Sequence, residues 1–178
     1  MMTPEAFKDE WKHSPLVRYP ANARFSEGLS EASAAALRDY GLPREAEPWL
    51  HFMEFAAVED AAASLFEERR LFPVGCLANG SFICIEKPTD RLVVMEADDP
   101  DDLWILNSSL GALYESMVLY HAFTEEVNRR NPRFASDFRI PHGMLEALRE
   151  KLTSCDPAAM SGNGFWHYEL KALDDSAV

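Results

Sequence analysis

The sequence predicts an α+β protein, in which an antiparallel meander sheet of about four to six strands packs against helices. Two observations predict this class. Between residues 71 and 114 lie four apolar runs, each about as long as one strand, and turn-forming residues separate them. A helical spacing of apolar residues follows directly after the last run. The four runs are residues 72–77, 82–85, 92–95 and 103–106.

The turns between these runs set the expected pairing of the strands. Asn79-Gly80 separates the first two runs, and both residues tolerate the positive φ angles of a type I′ turn. We therefore expect these two strands to form a hairpin with that turn. Residues 88–90, Pro-Thr-Asp, separate the second and third runs, and the acidic residues 97–102 separate the third and fourth.

A long amphipathic helix is expected after the fourth run. One of residues 107–109, Asn-Ser-Ser, can accept a hydrogen bond from an N–H group of the first helical turn and so cap the helix. Leu110, Leu113 and Met117 then fall on one helical face, and residues 131–132, Asn-Pro, end the pattern. We expect this helix to lie on the sheet.

The residue patterns in the flanking segments predict further helices. The secondary structure of two segments stays undecided. Residues 47–55 and 165–173 fit either a strand or a helix, because their apolar residues suit both periods. Residues 133–141 are expected to form a loop and residues 156–160 a short turn. Helices are predicted over residues 3–12, 30–40, 58–70 and 142–152.

We expect a single domain, residues 1–178, with its core at about 30–173, an N-terminal extension at 1–29 and a frayed tail at 174–178. No apolar run reaches the roughly 18 residues of a membrane span, and the N-terminus lacks the apolar core of a secretory signal. The three cysteines show no disulfide or metal-binding spacing, which favours reduced, packed thiols. A cytoplasmic location is therefore expected.

The charge of the chain narrows the classes of partner. Thirty acidic residues against 17 basic ones give a formal net charge of −13. Nucleic acids and anionic membranes are poor partners for such a chain, because phosphate groups are bound mainly by lysine and arginine. The acidity either keeps the protein soluble or attracts a basic protein partner, and the sequence leaves both interpretations and the oligomeric state open.

No segment carries a pattern typical of catalysis or of a cofactor site. His121 and Glu125, like His142 and Glu146, are four residues apart on predicted helices, but a metal site needs a third ligand that converges with them. The serines lack the setting of a nucleophile, and the glycines form no phosphate-binding loop. We therefore expect a protein that is not an enzyme, with no catalytic residue, metal or cofactor.

The most concentrated charge lies between the third and fourth predicted strands. Five carboxylates occur there within seven residues, and so many like charges need solvent or a basic group beside them. The segment fits a solvated loop, a surface for a basic partner or an ion site, although it lacks the glycine and the final glutamate of a calcium loop. With an expected exposed tryptophan, the candidate partner-binding residues are Glu96, Asp98, Asp99, Asp101, Asp102 and Trp104.

Several short structural motifs occur in a fixed order along the chain. They are Gly41-Leu42-Pro43, Leu71-Phe72-Pro73-Val74-Gly75, Phe82-Ile83-Cys84-Ile85, Asn107-Ser108-Ser109-Leu110, Asp156-Pro157-Ala158-Ala159 and Phe165-Trp166. In this order the chain resembles the SUKH superfamily, named after a yeast cell-wall regulator, and most closely its SUKH-4 branch of bacterial immunity proteins. The resemblance covers roughly residues 30–173. It departs at residues 88–91, Pro-Thr-Asp-Arg, which replace a turn that usually contains glycine.

The resemblance implies an α+β domain that binds and neutralises a cognate toxin, often a nuclease or a deaminase, released in competition between bacteria. It implies no catalytic residue, and it transfers no contact residue, because the members of the family face diverse toxins. Two other interpretations stay open: a general protein-interaction or regulatory module on the same fold, and a small-molecule binder or enzyme that uses the aromatic residues and histidines.

Overall fold

A six-stranded sheet lies at the centre of the structure. The computed structural model describes residues 2–12, 14–20, 26–53, 60–137 and 139–176. The helices are α1 (Pro4–Glu10), α2 (Glu31–Asp39), α3 (Asp60–Glu68), α4 (Leu110–Arg130), α5 (Phe134–Asp137), α6 (Met144–Cys155) and α7 (Phe165–Ser176). The strands are β1 (Leu16–Val17), β2 (Leu42–Pro43), β3 (Glu45–Ala46), β4 (Leu50–Phe52), β5 (Leu71–Leu77), β6 (Phe82–Glu86), β7 (Leu92–Met95) and β8 (Leu103–Asn107).

The sheet is antiparallel throughout and has the order β3-β4-β5-β6-β7-β8, so strands that follow one another along the chain are neighbours in the sheet. β1 and β2 form a separate two-stranded sheet. The predicted α+β class with an antiparallel meander is confirmed. Within the undecided segment 47–55, residues 50–52 are strand, whereas residues 54 and 55 lie outside the described part of the chain.

The first predicted hairpin is present, but its turn is not the predicted type I′ turn. Gly80 has a positive φ angle of 92°, and Asn79 does not have one. The loop spans three residues, because the N–H group of Leu77 donates to the carbonyl of Ser81 at 2.8 Å. The Asn79 side chain accepts a hydrogen bond from the Ser81 N–H group at 3.0 Å. Asn79 therefore satisfies a backbone donor and leaves the left-handed position to Gly80 alone.

The second hairpin forms its turn without a glycine. Asp90 takes the left-handed conformation, with φ 57°, which aspartate tolerates better than most residues. Its carboxylate accepts hydrogen bonds from the Ser33 hydroxyl at 2.7 Å and from the Ser30 N–H group at 3.2 Å. These contacts attach the turn to the start of α2.

Helices cover both faces of the sheet. Successive residues of a strand point to opposite faces. Ile83 and Ile85 accordingly belong to the main core beneath α4, whereas Cys84 between them belongs to a smaller core. In the smaller core, α3 places Phe66 against the ring of Phe82, with centroids 5.2 Å apart.

The long helix α4 begins and ends where the sequence predicts. Ser109 is its N-cap, since the Ser109 hydroxyl accepts a hydrogen bond from the Ala112 N–H group at 3.2 Å. Helix α1 packs on α4: the buried ring of Phe7 stacks on Tyr114, with centroids 4.4 Å apart. Residues of the predicted N-terminal extension therefore contribute to the main core.

The C-terminal helices differ from the prediction at their ends. The predicted helix 142–152 begins instead at Met144, because Gly143 before it has a left-handed φ of 78°, and it continues to Cys155. The undecided segment 165–173 is helical. Helix α7 continues to Ser176, so residues 174–176 of the predicted frayed tail are helical, and residues 177 and 178 lie outside the described part of the chain. The predicted loop 133–141 contains the short helix α5.

A buried polar network joins β8, α4, α6 and α7. The Asp156 carboxylate accepts hydrogen bonds from the Asn107 side-chain amide at 3.0 Å and from the Ser108 N–H group at 2.6 Å. The Asn107 side-chain amide also donates to the Ser116 hydroxyl at 3.1 Å, and the Asn107 side-chain oxygen Oδ1 accepts from the Trp166 indole N–H group at 3.1 Å. Buried polar groups are tolerated where such bonds satisfy them. The network therefore fixes four elements relative to one another.

Replacing Asp156 by alanine should lower the free energy of unfolding by about 3 kcal/mol, because the buried Asn107 amide and Ser108 N–H group would lose their acceptor. Urea denaturation followed by circular dichroism measures this change. The matched control is Asp98→Ala, which removes an exposed carboxylate and should change the free energy of unfolding by less than about 0.5 kcal/mol. Equal stability of the two variants would contradict the role given to the network.

Gly75 allows β4 and β5 to approach closely. A Cβ atom at this position would lie 2.3 Å from the His51 carbonyl oxygen. Gly75→Ala should therefore destabilise the protein by about 2 kcal/mol or more, because backbone atoms would have to move. Gly162→Ala is the control, since a Cβ atom there meets open space. A thermal unfolding midpoint for Gly75→Ala as high as that for Gly162→Ala would refute the close approach.

Candidate partner-binding site

Three chain segments lie at the same end of the sheet. The register pairs Leu50 with Leu77, Phe82 with Met95, and Met95 with Leu103. Because the strands are antiparallel, the start of β4, the β5–β6 loop and the β7–β8 loop share one end, which we call the loop end. The sequence-predicted carboxylates lie here, and so does a cleft that the sequence analysis did not identify.

The acidic loop, residues 96–102, connects β7 to β8 and holds itself in shape. The Asp99 side chain accepts a hydrogen bond from the Asp101 N–H group at 3.2 Å, and the Asp99 carbonyl accepts from the Asp102 N–H group at 2.9 Å. At the base of the loop, the Glu96 carboxylate accepts from the Ser81 hydroxyl at 2.7 Å. The loop thus presents its carboxylates from a hydrogen-bonded turn.

The five carboxylates of the acidic loop have different surroundings. Asp98, Asp99, Asp101 and Asp102 are exposed, whereas Glu96 is half-buried. Arg69 lies 2.6 Å from Asp101, but the Asp101 side chain remains 88% exposed. Such an exposed ion pair contributes little to stability. Most of the negative charge of the loop therefore remains accessible to a partner.

Trp104 is not the exposed aromatic residue that the sequence predicts. It is half-buried, and its indole stacks on the Tyr168 ring with centroids 4.9 Å apart. Because Trp104 pairs with Val94 in the sheet, its side chain lies on the main face beneath α7. The structure therefore separates Trp104 from the charges of the acidic loop and makes it part of a different surface.

That surface is the aromatic cleft, which we define by Trp49, Leu77, Trp104, Tyr168 and Glu169. It has a volume of about 420 Å³ and lies between the turn before β4 and helix α7. Clefts lined mainly by apolar and aromatic side chains with one charged group are typical binding sites. The cleft lies at the loop end, so it is at the same end of the sheet as the acidic loop.

Trp49 is the most exposed residue of the cleft. Its side chain is 69% exposed, and its φ angle of 62° lies in the left-handed region. A bulky residue in this conformation is an outlier that costs on the order of 1–3 kcal/mol. Tyr168, which also lines the cleft, is 43% exposed. Large apolar side chains that meet at the surface indicate a contact site.

Glu169 supplies the charge of the cleft. Its carboxylate accepts a hydrogen bond from the Tyr120 hydroxyl at 2.8 Å. Burial raises the pKa of the Glu169 carboxyl above its ordinary value, and the hydrogen bond from Tyr120 offsets part of that rise. Burial and the nearby Glu169 charge in turn raise the pKa of Tyr120. A cation that entered the cleft would relieve the cost of holding the Glu169 charge there.

Among the described residues, the two histidine–glutamate pairs with helical spacing do not converge with a third metal ligand. The Glu47 carboxylate lies 3.3 Å from Nδ1 of His121 and also accepts a hydrogen bond from the Thr124 hydroxyl. His142 precedes α6 and does not share a helix with Glu146. Across the described ranges, no group of three histidine, cysteine, aspartate or glutamate side chains converges on one point.

Sequence reasoning missed four of the five residues that define the cleft: Trp49, Leu77, Tyr168 and Glu169. A signal for two of them was present, since residues 165, 168, 169 and 172 share one face once the segment is taken as a helix. Trp49 lay in a segment that fitted two secondary structures. Its exposure depends on the turn before β4, which periodicity does not describe.

Comparison with known proteins identifies the family. In the part of the chain that the structure describes, no helix has the length and apolar character needed to cross a bilayer. No curated protein and no solved structure matches the chain. The family model of the SUKH-4 immunity proteins matches residues 2–172, almost the whole chain, and its extent includes α1 as well as the sheet. The chain therefore belongs to the SUKH-4 immunity protein family.

Proposed function

We propose that this protein binds a cognate bacterial toxin domain and neutralises it by non-covalent contact in the cytoplasm, without catalysing a reaction. The observation that carries this proposal is the match of the immunity protein family to residues 2–172. The toxin that we propose is basic, such as a nuclease or a deaminase that acts on nucleic acid. The charges of the chain support this choice.

The formal net charge of −13 favours a positively charged partner. Enzymes that act on nucleic acid bind phosphate groups through lysine and arginine. An acidic protein can occupy such a basic groove, and its charge accelerates the encounter and excludes partners of like charge. Neutralisation then requires only that the complex block the substrate groove, so no catalytic residue is needed.

We propose the acidic loop as one contact of the toxin. Its four exposed aspartates face solvent, and the hydrogen bonds of Asp99 fix the backbone before a partner arrives. A binding surface that is already ordered loses less conformational entropy on association. The loop end also carries the aromatic cleft, so one partner can engage both surfaces.

The function is tested by expression together with the cognate toxin, for which the product of the neighbouring upstream gene is the first candidate. Cells that produce the toxin should survive when this chain is also produced, and the purified chain should form a one-to-one complex with the toxin domain. Failure of the chain to bind this toxin, with growth still arrested, would contradict the proposed function.

Replacing Asp98, Asp99, Asp101 and Asp102 by asparagine should slow association with the toxin on the order of tenfold and weaken its dependence on salt. Asparagine at position 99 keeps the acceptor that shapes the loop. Stopped-flow kinetics at several salt concentrations measures both effects.

The matched control neutralises four exposed carboxylates on helices: Asp9→Asn, Glu10→Gln, Glu125→Gln and Glu150→Gln. It changes the net charge by the same amount but lies outside the acidic loop. An equal decrease in both variants would show that only the net charge matters and would remove the loop from the proposed contact.

A further inference from the structure

We propose that the aromatic cleft binds an arginine side chain of the partner, whose guanidinium group stacks on the aromatic rings and forms an ion pair with Glu169. The inference rests on the proposed function, since the toxin is the partner that carries the arginine. It names the chemistry of one contact in that complex, at a place separate from the acidic loop.

The first argument is the exposed apolar surface. Among the described residues, the large hydrophobic side chains that are exposed are Trp49, Met53 and Tyr168. Two of these three, Trp49 and Tyr168, line the same cleft. The stacked Trp104 forms part of the same lining. Exposed aromatic groups of this kind at a concave site are the usual anchors of a protein interface.

The second argument is that two residues of the cleft oppose folding. Trp49 keeps a left-handed backbone conformation while 69% of its side chain remains in solvent, so burial does not compensate for the strain. Glu169 keeps a carboxylate in a place where burial disfavours its charge. For folding alone, glycine at position 49 and glutamine at position 169 would give a more stable protein. A binding function explains why the chain has tryptophan and glutamate there instead.

The third argument is the fit of the guanidinium group. The aromatic rings favour a flat cation, which they attract through their negative faces. Among the described residues, Glu169 is the one carboxylate that lines the cleft, and no lysine or arginine lines it to compete. The Glu169 carboxylate can accept the paired N–H groups of arginine. A lysine ammonium group is compact and strongly hydrated, and an apolar side chain would leave Glu169 without a counter-charge.

The chemistry can be tested without the toxin. Short capped peptides are titrated into the isotopically labelled protein, with arginine, citrulline, lysine or norleucine at the central position. The indole N–H resonance that is missing in the Trp49→Gly spectrum identifies Trp49. The arginine peptide should shift this resonance and bind at least about tenfold more tightly than the neutral citrulline peptide. Equal binding of the citrulline, lysine or norleucine peptide would overturn the inference.

Two variants separate binding from folding. Trp49→Gly removes a strained side chain, so its unfolding temperature should not fall below that of the wild type. The folded state holds the Glu169 proton more tightly than the unfolded chain does, so ionisation of Glu169 at neutral pH weakens folding. Glu169→Gln should therefore be at least as stable as the wild type at that pH. Both variants should nevertheless bind the arginine peptide at least about tenfold more weakly.

Met53→Ala is the matched control, because Met53 is an exposed apolar residue that does not line the cleft. Its affinity for the arginine peptide should equal that of the wild type. If Trp49→Gly and Glu169→Gln keep the wild-type affinity, or if Met53→Ala loses as much as they do, the cleft is not the arginine site.

The toxin distinguishes failure of this inference from failure of the proposed function. Wild-type protein that binds the toxin, together with Trp49→Gly and Glu169→Gln variants that bind it equally well, would overturn the inference and leave the function in place. If the wild-type protein does not bind the toxin, the proposed function is wrong, and the toxin is then not the partner that supplies the arginine. Loss of toxin affinity in both variants, with Met53→Ala unchanged, would support the inference.

Discussion

The hydrogen bonding of the buried Asp156 carboxylate is the constraint on which the arrangement of the helices depends. A carboxylate taken out of water needs donors, and here the Asn107 amide and the Ser108 N–H group supply them. Asn107 is held in turn by the Trp166 indole at the start of α7. These bonds attach α7 to the last strand of the sheet. Tyr168 and Glu169, two and three residues further along α7, consequently line the aromatic cleft, where the Tyr168 ring stacks on Trp104.

The motifs that gave the first resemblance to the family are mainly structural. Asn107, Ser108, Asp156 and Trp166 of these motifs meet in the buried network. Gly75 allows two strands to approach, and the Gly41 carbonyl accepts a hydrogen bond from the buried Tyr114 hydroxyl at 3.0 Å. We propose contact residues in the acidic loop and in the aromatic cleft. These residues lie outside the motifs. A common framework with a separate binding end lets one fold serve different partners.

The sheet and the long helix could be predicted because their signals are local. Gly80 and Ser109 sit where a turn and a cap need them, and the apolar runs have the length of strands. The aromatic cleft could not be predicted, because it brings Trp49 together with residues more than a hundred positions later. Its formation depended on whether residues 165–173 were a helix or a strand, and the apolar spacing suited both. The acidic loop could be recognised from its composition. The burial of Trp104 beside Tyr168 could not be predicted, because it depends on how α7 packs on the sheet.

The central claim is that the loop end of a fixed framework receives the toxin. Amide hydrogen exchange of the chain, alone and in complex with the proposed cognate toxin, tests this claim most directly. The account predicts slower exchange on binding in residues 47–53, 77–82, 96–104 and 165–172, which border the acidic loop and the cleft, and unchanged exchange in residues 144–152 of α6. Slower exchange confined to α6 and the facing part of α4, with none at the loop end, would contradict it.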